Sequence, residues 1–197
     1  MRKALLHLKK SDPILAGIIE RVGPYRMTHT EPNFQSLVRS IVYQQLSGKA
    51  AGTIYGRLIA ASNDPVNPAA ILALSPEQMR ALGLSQQKTK YIRDLAERTA
   101  ASEIDFAQLP ALTDQEIIEC LTRVKGVGVW TAHMFLMFSL QRPNVLPVGD
   151  LGIRNAIHKA YRLRKPPKPE QIEKIARRWH PYCSYASWYL WRSLENE

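Results

Sequence analysis

Two apolar helical stretches, separated by Lys125-Gly126-Val127-Gly128, restrict the folding of this chain more than any other feature of its sequence. Thr113 can cap the first stretch, and Glu116, three residues on, completes a capping box. Ile117, Ile118, Leu121 and Val124 give that helix an apolar stripe at helical spacing. Glycine tolerates backbone angles that other residues avoid, so the helix must break there. The apolar segment from Trp130 to Leu140 predicts a second helix that begins at once. The first N–H groups of such a helix have no partner within it and carry partial positive charge, which suits them to a phosphate. From the glycines alone, a plain packing corner is an equal expectation.

The rest of the chain also reads as helices. Ser11 or Asp12 can cap a helix that has Pro13 in its first turn and ends at Gly23. Phe34, Leu37, Val38, Ile41, Val42 and Leu46 form one apolar face of the next. Ser47 starts another, running to about Ser62, and Asn63-Asp64-Pro65 with Asn67-Pro68 predicts a loop. Short helices follow near Pro68 to Leu74 and from Pro76 to Gly83, then a longer one from Ser85. Asp150 precedes a helix reaching about Tyr161. Lys165-Pro166-Pro167-Lys168-Pro169 is a stiff basic connector. Two more helices are expected over Glu170 to Trp179 and Tyr182 to Leu194. No strand alternation and no repeat is visible, so the fold class is all-α, with about ten helices.

Charge narrows the partner. The net charge of +10 points to an anion, with nucleic acid the natural candidate. The 2 cysteines, Cys120 and Cys183, are too few for an iron–sulfur cluster, and a reducing compartment is expected. His7, His29, His133, His158 and His180 show no metal-ligand spacing, and no cofactor is expected. No apolar run approaches the roughly 18 residues of a membrane span, and the basic start MRKALLHLKKSDP lacks the apolar core of a signal peptide.

The pattern Leu121-x-x-Val124-x-Gly126-Val127-Gly128-x-x-x-Ala132 resembles the helix-hairpin-helix motif of DNA repair proteins. With the aspartate of Leu146-Pro147-Val148-Gly149-Asp150, it resembles the helix-hairpin-helix DNA glycosylase superfamily. Gly128-Val129-Trp130-Thr131-Ala132 is similar to its 3-methyladenine DNA glycosylase II branch, in a compact form without the extra N-terminal β-rich domain of larger members. The resemblance covers about residues 34 to 194. It implies two helical lobes with an active-site cleft between them, one lobe of about residues 35–130 and the other of about 1–34 plus 131–197. It also implies a monomer that acts on double-stranded DNA containing damaged bases, in the nucleoid of a bacterium or the nucleus of a eukaryote.

The resemblance assigns the catalytic role to Asp150. As a helix N-cap its negative charge is favoured by the helix dipole, so capping and catalysis are compatible. Cleaving an N-glycosidic bond builds positive charge on the sugar, which a fixed carboxylate stabilises. Bifunctional relatives carry a nucleophilic lysine where this chain has Trp130, and tryptophan cannot form a Schiff base. A monofunctional enzyme that uses water is implied, with Trp130 a wall of the base pocket or, alternatively, a core residue. Tyr182 matches an aromatic pocket position, while Trp188 and Trp191 are expected in core or lobe packing. Met134 stands where some relatives have an aromatic ring. Gln45 and Leu46 match the place of an apolar wedge that fills the gap left by a flipped base; a core leucine is the equal alternative at Leu46. Lys125, Gly126, Val127, Gly128 and Thr131 are the expected DNA-binding residues of the hairpin, which in such proteins can also hold a monovalent cation through carbonyl oxygens. Lys88, Lys90 and Arg154 could line the DNA face, with a solvated surface charge the favoured reading for each. Alkylated purines such as 3-methyladenine and 7-methylguanine are the implied substrates. Deaminated or etheno bases, and a non-catalytic DNA-binding module, are the alternatives.

Overall fold

A computed structural model describes residues 1–62 and 65–195; Asn63 and Asp64 of the expected loop lie outside the described residues. Twelve α-helices and two short 3-10 turns make up the regular structure among them, and no strand is present there. The helices are α1 (Arg2–Ser11), α2 (Pro13–Val22), α3 (Phe34–Tyr43), α4 (Gly48–Ala61), α5 (Pro68–Ala73) and α6 (Pro76–Ala81). They continue as α7 (Gln86–Ala100), α8 (Asp114–Thr122), α9 (Val129–Phe138), α10 (Leu151–Ala160), α11 (Pro169–Ala176) and α12 (Cys183–Glu195). Asp12, Ser47, Asn67, Ser75, Ser85, Thr113 and Asp150 each accept the backbone N–H that an N-cap should. Thr113 with Glu116 and Ser75 with Gln78 close full capping boxes.

The sequence reading missed α1. Its two buried side chains, Ala4 and Leu8, sit one helical turn apart and pack it on α2, a stripe too thin to stand out among its basic residues. The reading also carried α3 on to Leu46. The helix stops at Tyr43, and Gln45 turns the chain with φ +56, so Leu46 leaves the apolar face with which it is in phase.

The chain divides into two compact units. Unit one comprises Met1–His29 and Leu136–Glu197, and unit two Thr30–Phe135. In unit one α12 packs on α2 and α10. Leu15, Ile18, Ile153, Ile157, Ile172 and Tyr189 fill its core. Asp12 is buried in that core and ties distant parts of the chain together. Its carboxylate accepts from Ile14 N, Leu15 N, the Tyr161 hydroxyl and Trp179 Nε1. Four donors around one buried charge offset its lost hydration. In unit two α7 packs against α3, α5 and α6, with Leu37, Ile41, Ile71, Ile92 and Leu95 buried. Val124 and Val127 are also buried there, which anchors the break between α8 and α9. Among the described residues no helix is long and apolar enough to cross a membrane.

Candidate active site and nucleic-acid interface

In unit one the feature with chemical potential is the start of α10. Asp150 is its N-cap, and one carboxylate oxygen, Oδ1, accepts both Ile153 N at 2.8 Å and Trp191 Nε1 at 2.8 Å. The side chain is 8% exposed. Two donors on one oxygen fix the plane of the carboxylate, and the helix start adds partial positive charge beside it. Trp191 in turn stacks on Phe138, with ring centroids 6.0 Å apart and planes 17° from parallel. Gly152 makes this packing possible. A Cβ there would stand 2.9 Å from Trp191 Cδ1 and 3.1 Å from Asp150 Oδ1, so any larger residue must displace the indole or the carboxylate. A fixed anion beside flat aromatic faces can stabilise a developing cation.

Trp191, expected in core or lobe packing, does pack against the core of unit one and also reaches Asp150, while Tyr182 was expected in the base pocket. The ring found at Asp150 is Trp191. Tyr182 precedes α12, nine residues before Trp191, which at the helical rise is about 13 Å along the axis. It packs edge-on against His7 at 5.4 Å and against Tyr185 at 6.1 Å, on the flank of the unit's core. Trp188 is core, as expected. The one signal that pointed to Trp191 was a glycine inside a helix, Gly152, which marks a close approach.

In unit two the hairpin and the turn after α3 come together. Gly126 has φ +77, and a Cβ there would overlap the Tyr91 ring, so only glycine fits. Gly126 O accepts from Gln44 Nε2 at 2.9 Å, Val124 O from Val127 N and Gly128 O from Ala132 N. A carbonyl has two lone pairs, so these oxygens can still accept a monovalent cation. Among the described residues no group of three or more His, Cys, Asp and Glu side chains is placed to hold a metal ion.

Trp130 is 48% exposed and Leu46 40% exposed, so the core alternative fails for both. Gln45 and Lys125 are exposed as well. Thr131 is 5% exposed and Val127 is buried. Their side chains face inward, so a contact with DNA at these two positions would run through their backbone N–H groups. Lys88 is a correction to the solvated-charge reading. It is half-buried, and Nζ donates to Val42 O at 2.6 Å and Gln44 O at 2.7 Å, with its pKa lowered by burial. Within this unit Trp130 and Met134 line a hollow of about 650 Å³, together with Arg39, Tyr43, Gln44, Lys88 and Tyr91. The Arg39 guanidinium lies 4.3 Å over the Tyr43 ring, a cation–π contact that places a cation at the rim.

Residues 38–181 match the HhH-GPD superfamily base excision DNA repair proteins. The chain belongs to this superfamily. It is 36% identical to DNA-3-methyladenine glycosylase 1 of Schizosaccharomyces pombe over 98% of this chain and 87% of that one. It is 32% identical to a putative DNA-3-methyladenine glycosylase of Bacillus subtilis, over 99% of this chain and 70% of that one. Among solved structures it is similar to the S. pombe 3-methyladenine DNA glycosylase in complex with abasic DNA. The TM-score is 0.85 at 37% identity, covering 96% and 95% of the two chains. A DNA-3-methyladenine glycosidase from Bacillus halodurans is similar at TM-score 0.84 and 37% identity, over 94% and 85%. Superfamily membership agrees with the all-helical architecture, and it makes the glycine hairpin a helix-hairpin-helix rather than a packing corner.

Proposed function

We propose that this protein is a monofunctional DNA glycosylase that removes alkylated purines, such as 3-methyladenine and 7-methylguanine, from double-stranded DNA. Asp150 carries the reading. It is a nearly buried carboxylate held in a fixed plane by Ile153 N and Trp191 Nε1, in a chain of the HhH-GPD superfamily. As the N-glycosidic bond breaks, its electron pair leaves with the base and C1′ of the sugar becomes positive. The water oxygen then bonds to C1′, and the water's proton passes to solvent. A carboxylate about 4 Å from that charge, at an effective dielectric near 20, contributes about 4 kcal/mol. That corresponds to roughly a thousandfold in rate.

An alkylated purine is a cation that leaves as a neutral base, so no strong general acid is needed. It also stacks well on electron-rich rings, and the exposed Trp130 is suited to that. Within unit one, Trp191 sets an indole at the carboxylate itself. Trp130 has no amine, so no Schiff base forms at that position, and the product is an abasic site in an unbroken strand. The exposed Leu46 fills the gap in the duplex. The hairpin N–H groups, with Lys125 beside them, hold a phosphate. A monovalent cation held at the hairpin carbonyls would add positive charge next to that phosphate.

The test is a single-turnover assay on alkylated duplex DNA that counts free bases and strand breaks separately. Release of 3-methyladenine without breaks before alkali is the expected result. Breaks formed by the enzyme would overturn the monofunctional reading. Tight binding with no release of any alkylated, deaminated or etheno base would make the protein a non-catalytic module.

A further inference from the structure

The wedge turn and the hairpin lie 80 residues apart in sequence, yet both are fastened to one stripe of α7. Lys88, Tyr91, Asp94 and Arg98 follow one another at helical spacing on that helix. Lys88 Nζ donates to Val42 O and Gln44 O, carbonyls at the end of α3 that the helix itself leaves unsatisfied. The next residue, Gln45, is held at φ +56, a conformation that side-chain-bearing residues seldom adopt unless the surroundings impose it. One turn further along α7, the Tyr91 ring occupies the space a Cβ of Gly126 would need. One turn further again, Asp94, 7% exposed, accepts Lys125 N at 3.0 Å, pairs with Lys125 Nζ at 3.2 Å and with Arg98 Nε at 3.0 Å. Gln44 closes the circuit by donating from Nε2 to Gly126 O.

We propose that α7 sets the register between the hairpin and the wedge, with Lys88 a positioning residue for insertion of Leu46 into the duplex. The proposal rests on the glycosylase reading with Leu46 as wedge. A leucine in the short link between α3 and α4 loses directional freedom when it inserts, so a link already fixed in direction inserts more readily. Lys88 fixes the turn from beneath, through backbone carbonyls rather than through DNA. Gln44 then passes that position on to the hairpin, so that gripping a phosphate and aiming the wedge become one operation. A lysine that lined DNA would instead point its ammonium at phosphate, and this one is spent on two carbonyls at 2.6 and 2.7 Å.

The experiment compares Lys88→Met, which keeps the aliphatic stem and removes the donor, with Leu46→Ala and with the double variant. Base flipping is read by 2-aminopurine fluorescence next to the lesion, excision by single-turnover rate, and binding by affinity for undamaged duplex across a salt series. K88M is expected to lower flipping and excision about tenfold while leaving undamaged-duplex affinity and its salt slope within about twofold. L46A is expected to show the same pattern. The double variant should be no worse than L46A alone, because Lys88 acts through Leu46. Multiplying losses in the double variant would overturn the proposal, as would unchanged flipping in K88M. A salt slope reduced by about one in K88M would make Lys88 a phosphate ligand and overturn it too. Should K88M fail to fold, Gln44→Met removes the tie to Gly126 O from a partly exposed position and must show the same non-additivity. Full activity of L46A ends the wedge reading and this proposal together. A wild-type protein that flips but releases no base fails only the glycosylase reading, and the fluorescence series still decides the role of Lys88.

Discussion

The two units differ sharply in charge. Residues 30–135 contain 10 Lys and Arg against 10 Asp and Glu, whereas residues 1–29 with 136–197 contain 17 against 7 and so carry the whole +10. The neutral unit nevertheless holds the hairpin, the exposed Leu46 and Trp130, and the hollow that Trp130 lines. On the proposed function, grip on DNA there would come from oriented backbone N–H groups and a few placed cations rather than from net charge. The charged unit holds the carboxylate, and nine of its cations against two acids lie between Arg154 and Arg178. Such a field acts at long range and governs encounter more than geometry. On the proposed function, the comparison separates a unit that would hold DNA by shape from one that would attract it and carry the reactive anion.

The largest effect should come from Asp150→Asn, which removes the charge and keeps the shape. A loss of roughly a thousandfold in single-turnover rate with duplex affinity unchanged is expected. Retained turnover would remove catalysis from the charged unit altogether. Asp12→Asn comes next, because four donors converge on that buried carboxylate. A loss of about 3 kcal/mol is expected in chemical unfolding. Hydrogen exchange should accelerate in residues 1–29 and 136–197 and stay near wild type in 30–135. Equal acceleration in both would show that the units do not unfold separately.

Gly126→Ala tests the neutral unit. The alanine must meet the Tyr91 ring in a left-handed conformation, so duplex affinity should fall about tenfold, with the excision rate at saturation changed far less. A loss confined to rate would contradict the division of labour. The smallest effect is expected from neutralising Arg162, Arg164 and Lys165, exposed residues just before and at the start of the basic connector, to glutamine. Association at low salt should slow about threefold, the difference should vanish at high salt, and the cleavage step should not change.

Much of this was legible in the sequence because helix caps are local. Thr113 with Glu116, Ser75 with Gln78, and Asp150 before α10 each satisfy backbone groups within three residues, and short patterns record such bonds. The pairs that were missed are all distant. Trp191 meets Asp150 across 41 residues and Lys88 meets Val42 across 46, and neither leaves a periodicity to read. Leu46 shows the opposite failure. Its phase with the α3 stripe was real, but the helix ends before reaching it, because a positive φ at Gln45 overrides the pattern. The partners of Tyr182 were not legible for a related reason: nothing in the sequence near the start of α12 marks its contacts with His7 and Tyr185.

The route of the chain through the two units has a consequence in time. Unit two is one continuous run, Thr30–Phe135, while unit one is split between a beginning and an end. During synthesis at about 5–20 residues per second, the continuous run can collapse as soon as it has emerged. Asp12 has no such opportunity. Its partners Tyr161 and Trp179 lie 149 and 167 residues downstream, so α1 and α2 wait several seconds or more with an acidic group bound only to water and its own cap. For that interval the nascent protein would carry an assembled unit two and an unfinished unit one. Whatever guards the exposed Leu15 and Ile18 in those seconds, a chaperone or plain solubility from the basic residues of α1, sets the yield of the mature enzyme.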